Sequence, residues 1–235
     1  MKVRGQRECT DCGTQWSYYE TGTVECPNCG SLRSRGVDER TEHTDTPVTF
    51  DLTPARNRVD DGLLDAAEEA AELCREFVRK TGFVHAGDLK PLSDTYLAAA
   101  ELAAVTSSLR RAMRTTDEEE LYLLDLLRGA DHGERPDPES VPESLHAARG
   151  LAYAAAVDDY RDDVRTYLGE HPDSAASAAL QTVANHVRQI EALDGEVDVR
   201  TTERVVRATQ DVGRYLVEGD EGALAAARER LAELE

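Results

Sequence analysis

Cys9, Cys12, Cys26 and Cys29 form two Cys-x-x-Cys pairs thirteen residues apart, and each pair is followed at once by a glycine, Gly13 and Gly30. Two residues between ligands let a tight turn aim both sulfurs at one centre, and the following glycine supplies the positive φ that such a turn uses. Residues 1–36 carry one tryptophan and two tyrosines, too little apolar surface to offset the entropy of ordering the segment, so something must staple it. Disulfides are the rival staple. The opening Met1 to Arg7 is polar and no apolar run is long enough to span a bilayer, so the expectation is a cytoplasmic protein with reduced thiols and no membrane partner. Four thiolates fill a tetrahedral shell and leave no position for water, which predicts a structural metal, zinc first and iron second. Between the pairs, Thr14 to Tyr19 reads as a strand, Glu20 to Thr23 as a turn and Val24 as the return, a hairpin with a knuckle at each end.

Cys9-Thr10-Asp11-Cys12-Gly13 and Cys26-Pro27-Asn28-Cys29-Gly30 resemble the paired knuckles of zinc ribbons, including the rubredoxin-like and TFIIB-type ribbons. The chain also resembles salt-loving archaeal proteins that join such a ribbon to a helical tail. The resemblance covers residues 7–32. It implies metal binding, and it implies a role in transcription or RNA handling only through the company ribbons of this class keep.

The chain carries 47 Asp plus Glu against 27 Lys plus Arg, a net charge of −20, and its only lysines are Lys2, Lys80 and Lys90. That composition resembles halophilic proteins, in which surface acid serves hydration and solubility rather than a basic partner. The excess is uneven. Residues 1–58 hold eight basic and nine acidic side chains, leaving 19 against 38 for the rest. Relief from acid around the metal site suits a surface that meets nucleic acid or an acidic protein, or reflects a module with few free positions. Arg4, Arg7, Trp16, Tyr19, Arg33 and Arg35 are the candidate contact residues, because aromatics interleaved with arginine can stack bases and neutralise phosphates. Strand alternation places Trp16 and Tyr18 on one face and Tyr19 on the other, so one face is also expected to pack inward.

Residues 37–59, rich in Thr, Asp and Arg with Pro47 and Pro54, read as a linker, with Val48 to Leu52 able to dock on a neighbour. From residue 60 to 235 the apolar spacing is helical. Leu63, Ala67, Ala70, Cys74 and Phe77 make the first stripe, and others follow in Leu92 to Met113, Leu121 to Leu127, Leu145 to Leu168, Leu180 to Ile190, Val205 to Leu216 and Leu224 to Leu234. The fold class is therefore mainly α: a β zinc ribbon over 1–36 followed by an acidic, all-helical bundle of about seven helices. Gly129 to Pro142 reads as a flexible loop, and the many inward alanines argue against a polar cleft in the core.

Catalytic patterns are weak. Cys74 sits on an apolar stripe and reads as a small hydrophobe. Glu143 and His146 make a Glu-x-x-His pair without a second copy, and Ser140 with Glu143 fits a capping box. Arg165 and His171 have a spacing loosely like that of some helical ribonucleases, and the Asp158, Asp159, Asp162, Asp163 cluster reads as a solvated helix face. The leading expectation is a zinc-binding, non-enzymatic protein whose ribbon contacts nucleic acid or a transcription or RNA-handling partner and whose helices bind protein. The alternatives are a helical enzyme, for example a nuclease clamped to its substrate by the ribbon, and a ribbon that is only a structural cap.

Overall fold

In the computed structural model, which describes residues 1–112 and 114–234, the apolar stripes become seven long helices. They are α3 (Leu63–Lys80), α4 (Asp94–Arg111), α5 (Asp117–Gly129), α6 (His146–Leu168), α7 (Ser174–Ala192), α8 (Val199–Glu218) and α9 (Glu221–Ala232). Met113, at the end of the second expected stripe, lies outside the described residues. Ser93, Asp173, Asp198 and Asp220 cap the N-termini of α4, α7, α8 and α9 with side-chain oxygens, and Gly219 closes α8 in the left-handed conformation. The capping box forms at Thr116 and Glu119 of α5 rather than at Ser140 and Glu143, because α6 starts only at His146 and two short 3-10 turns (Pro138–Ser140 and Glu143–Leu145) intervene. No helix among the described residues is long and apolar enough to cross a membrane.

Helix α4 lies between two apolar cores. Tyr96 and Leu97 join Tyr153, Val157, Tyr160, Val183 and Val212 in one, while Leu102, Val105 and Leu109 join Ala67, Ala70, Cys74, Leu123 and Leu126 in the other. Cys74 is fully buried, and burial pushes its thiol up to about 12, which makes it the packing residue its stripe predicts.

The sequence gives no hint of strands after residue 59, but a miniature hairpin, β6 (Val84–His85) with β7 (Asp88–Leu89), connects α3 to α4. Two-residue strands are too short to show alternation. The expected linker is built into the protein: it carries β5 (Arg40–Glu42) and the single turn α2 (Thr53–Arg56), Leu52 and Ala55 are fully buried, and Phe50 stacks on Phe77 at 4.3 Å. The Gly129 to Pro142 segment, expected to be flexible, is pinned by Asp131, which accepts from Arg56 at 2.6 Å, and by Arg135, whose side chain is 12% exposed.

A polar network in the core is the larger departure from the sequence reading. Glu101 of α4 and Arg149 of α6 are both completely buried and face each other at 3.3 Å. Glu101 also accepts from the hydroxyls of Tyr122 on α5 and Tyr153 on α6, the latter at 2.6 Å. Arg149 Nη2 lies 3.5 Å from Glu203 of α8, an ion pair without hydrogen-bond geometry, and Arg135 donates two bonds to the same carboxylate at 2.9 and 3.1 Å. Burial alone would raise the Glu203 carboxyl; Arg135, Arg207 and Arg149 together hold it below its ordinary value. Four helices are thereby tied at one level.

The N-terminal module docks on the bundle through the segment 42–46, the end of β5 and the extended chain after it. Thr44 donates its backbone N–H to Val84 and its hydroxyl to Asp163 at 2.6 Å, and the same carboxylate accepts Phe83 N–H. Gly82 makes this possible, since a Cβ there would stand 2.3 Å from the Thr44 carbonyl carbon. Beside it, buried His43 accepts the Ala86 N–H on Nδ1 at 3.2 Å and packs against Tyr18, Tyr19 and His85, with Asp45 salt-bridged to Lys90 at 2.8 Å.

Arg149→Met leaves Glu101 buried without its cation and should lower the unfolding free energy by about 3–5 kcal/mol, read by denaturant titration. Burial, then the neighbouring His85, holds the His43 pKa below its ordinary 6.5. The unfolded chain therefore takes up this proton more readily, so the His43 contribution is full above about pH 6.5 and is lost as pH falls from there toward the folded value. His43→Asn keeps an acceptor for Ala86 without the titration, and its stability should decline less than wild type as pH falls below 6.5 when both are metal-loaded.

Candidate metal centre

The ribbon is a three-stranded antiparallel sheet in the order β3 (Gln15–Ser17), β2 (Gln6–Cys9), β4 (Ser34–Gly36), beside a separate pair of β1 (Lys2–Arg4) with β5. The first knuckle follows the central strand β2. The expected hairpin between the knuckles does not form. After Ser17 the chain coils into a single helical turn, α1 (Tyr18–Thr21), because the Ser17 side chain caps Glu20 N–H and Gly22 ends the turn at φ 66°. The signal was present as Ser-x-x-Glu, a helix-start pattern.

The two knuckles are near copies. In each, the first cysteine N–H bonds the carbonyl five residues on, Thr14 at 2.8 Å and Ser31 at 2.9 Å. In each, the glycine N–H returns to the first cysteine carbonyl, Gly13 to Cys9 at 3.0 Å and Gly30 to Cys26 at 2.9 Å. Both glycines are left-handed, at φ 75° and 69°, as the repeated turn requires. The turns bring all four sulfurs within 4.8 Å of one another, with Cys9 to Cys29 and Cys12 to Cys26 each at 3.6 Å. Metal–sulfur bonds of about 2.3 Å in a tetrahedron set sulfurs about 3.8 Å apart, so the donor set fits such an ion. The four cysteines would hold it with no open coordination position.

Cys9 and Cys26 are buried with Trp16 in a small core of their own, while Cys12 and Cys29 face solvent. The Thr14 hydroxyl, and then its backbone, lower the Cys12 thiol to about 6. At Cys29 the Ser31 N–H pulls downward, but the Cys12 sulfur and loss of solvent outweigh it and leave the thiol at about 12. Negative charge is thus favoured at Cys12 and resisted at Cys29 beside it, and a dication between the two would stabilise both thiolates. Sequence reasoning missed two supports: Ser31 donates to Asp11 across the knuckles at 2.6 Å, and the Asn28 amide lies 3.8 Å from Cys12 sulfur. Both acceptor and amide occupy the x positions of the knuckles, where such outer contacts orient ligands.

The other candidate contact residues divide into two groups. Trp16 is 7% exposed and its indole N–H donates to Thr23 carbonyl at 3.1 Å, and Tyr19 is wedged over Gly5 with its hydroxyl against Thr41 at 2.5 Å. Arg4 holds the Asp38 carbonyl and Arg7 holds Ser34, at 2.9 Å to its hydroxyl. Arg33 and Arg35 project outward, 81% and 66% exposed, salt-bridged to Asp11 at 3.6 Å and Glu8 at 3.1 Å. The structure does not bring the six together on one surface.

The catalytic patterns separate as well. Arg165 pairs with Asp162 at 3.1 Å while His171 stacks on Tyr167 at 4.3 Å. His146 contacts the Val141 carbonyl and meets no carboxylate partner among the described residues. Two of the acidic cluster make structural bonds: Asp159, still exposed, accepts the Tyr96 hydroxyl at 2.9 Å, and Asp163 accepts from Thr44 and Phe83.

Trp16 is the chain's one tryptophan, and it packs on two of the four sulfurs, so its emission reports the site. Stripping metal from the loaded protein with a chelator should red-shift Trp16 fluorescence and leave the far-UV helical signal intact, since neither helical core includes the cysteines of the ribbon. Cys26→Ala should show the stripped spectrum from the outset. Simultaneous loss of the helical signal would mean that the bundle depends on the ribbon.

Comparison with curated proteins and with solved structures yields no match. A family model matches residues 1–231, running through ribbon, connecting segment and bundle alike. The chain belongs to the family of unknown function DUF7117.

Proposed function

We propose that this protein is a zinc-binding, non-enzymatic adaptor that docks a protein partner through the exposed edge of its ribbon and uses the helical bundle as a rigid, acidic platform. The observation that carries the reading is Leu32-Arg33-Ser34-Arg35, which leads from the second knuckle into β4 with Leu32 72% and Arg33 81% exposed. Val24 and Val37 are also exposed on the same module. A leucine this exposed at the head of the run suits a protein surface better than a phosphate backbone. The aromatic rings a nucleic-acid interface would need, Trp16 and Tyr19, are committed to packing.

Zinc is the metal of choice because four thiolates in a closed tetrahedron favour a structural, redox-inactive ion. The resemblance to ribbons of the transcription machinery points to a partner in transcription or RNA handling. The acidic surface fits a cytoplasm rich in salt, where the Debye length shrinks to about 3 Å at molar ionic strength and recognition rests on short-range contacts such as Leu32.

The test is affinity capture with the zinc-loaded full chain, wild type beside Leu32→Asp/Arg33→Glu, with and without nuclease, and with bound zinc measured on each bait. A specific protein retained after nuclease and lost by the double variant at unchanged zinc supports the adaptor. Partners that vanish with nuclease would replace it by nucleic-acid binding, and equal capture by both baits would exclude this edge.

A further inference from the structure

A cleft of about 600 Å³ runs between α6 and α7, far in sequence from the ribbon and independent of the reading above. Its walls come from one face of each helix. Arg161 and Arg165 project from α6, Arg188 from α7, and the apolar floor includes Leu168, Leu180 and Val187. Asp158 and Glu191 are the carboxylates in the lining, so three guanidiniums face two acids in a chain whose net charge is −20.

The three arginines are held differently. Arg161 is fixed: its side chain is 12% exposed, it pairs with Asp158, and its Nε donates across the cleft to the Leu180 carbonyl at 3.3 Å. Arg165 is tethered to Asp162 at 3.1 Å and is 71% exposed. Arg188 is oriented by neutral groups, donating to the Ala184 carbonyl at 3.2 Å and the Asn185 amide oxygen at 2.7 Å, and meets no carboxylate within 4.0 Å among the described residues. Arg188 is thus the one of the three lining arginines without an ion pair among the described residues, with Glu191 the carboxylate left over in the lining.

We propose that this cleft binds a phosphorylated small molecule of nucleotide size, its phosphates on Arg165 and Arg188 and its body over Leu168, Leu180 and Val187. Guanidiniums match phosphate oxygens with paired donors, and more than one of them exceeds what a single carboxylate would require. The volume falls in the range of small-molecule sites, and Ser177 and Gln181 at the rim supply neutral hydrogen-bonding groups.

The experiment is isothermal titration of the zinc-loaded full chain, in low salt and again in molar KCl, with three probes: pyrophosphate, ADP and adenosine. ADP should bind most tightly, pyrophosphate more weakly and with steeper salt dependence, and adenosine not at all. Arg165→Glu/Arg188→Glu should weaken ADP by about tenfold or more, the loss of at least one charge-assisted contact. Both side chains are exposed, so the melting temperature should stay that of wild type, and a lowered one transfers the test to Arg188→Gln alone. As a control, Arg200→Glu/Arg204→Glu alters another arginine-lined cleft, between α8, the turn at 137–139 and Arg230 of α9. No heat with ADP at millimolar concentration, unchanged affinity in the first variant, or an equal loss in the control would each overturn the assignment. Pyrophosphate binding as tightly as ADP would reduce the site to a free-phosphate site and overturn the role given to the apolar floor.

Discussion

The completely buried ion pair between Glu101 and Arg149 is the contact on which the arrangement of the bundle rests. Much of the core is alanine, which lets helices approach closely but offers little shape by which one register is preferred to another. A buried charge supplies that preference through its penalty: any sliding of α4 against α6 strips Glu101 of Arg149 and of two tyrosine hydroxyls inside a low-dielectric core. Glu203 and Arg135 extend the same condition to α8 and to the segment between α5 and α6. The long connection from Gly129 to Pro142 is ordered for this reason. It delivers a cation that Glu203 requires.

The ribbon obeys a different rule. Its own core is three residues, Cys9, Trp16 and Cys26, so local order calls for an ion on the four cysteines, while overall placement comes from the bundle. Thr44, Gly82 and Asp163 set that placement through backbone approach and one shared carboxylate. Because the module is fastened on the side of β1, β5 and Tyr19, the segment from Leu32 to Arg35 is left for solvent or a partner.

What could be read from the sequence follows from what each element asks of its neighbours. The knuckles were legible to the residue because a Cys-x-x-Cys-Gly turn is a local geometry, and the helices of the bundle were legible as stripes. The one-turn helix after Ser17 was missed because strand-forming Tyr18 and Tyr19 masked a capping signal. The polar core was missed because nothing local distinguishes Glu101 or Arg149 from a surface charge; only the meeting of four helices does. Trp16 and Tyr19 were correctly found as notable aromatics, yet whether they face inward or outward was decided by Gly5 and Thr23, contacts that alternation cannot supply.

Helix α6 shows why the remaining function is hard to see in one dimension. Arg149 and Tyr153 enter the polar core, Val157, Tyr160 and Val164 the apolar one, Asp159 meets α4, Asp163 holds the ribbon, and Arg161 with Arg165 walls the cleft against α7. A helix with a task on every side presents no clean stripe, and its charges look like the solvated background of an acidic protein. Asp163 and Arg161 are two residues apart on this helix, so the element that walls one side of the cleft is also the element to which Thr44 and Phe83 are bonded. The seat of the ribbon and the arginine cleft therefore share a single support, and neither could be read as a pattern of its own along the chain.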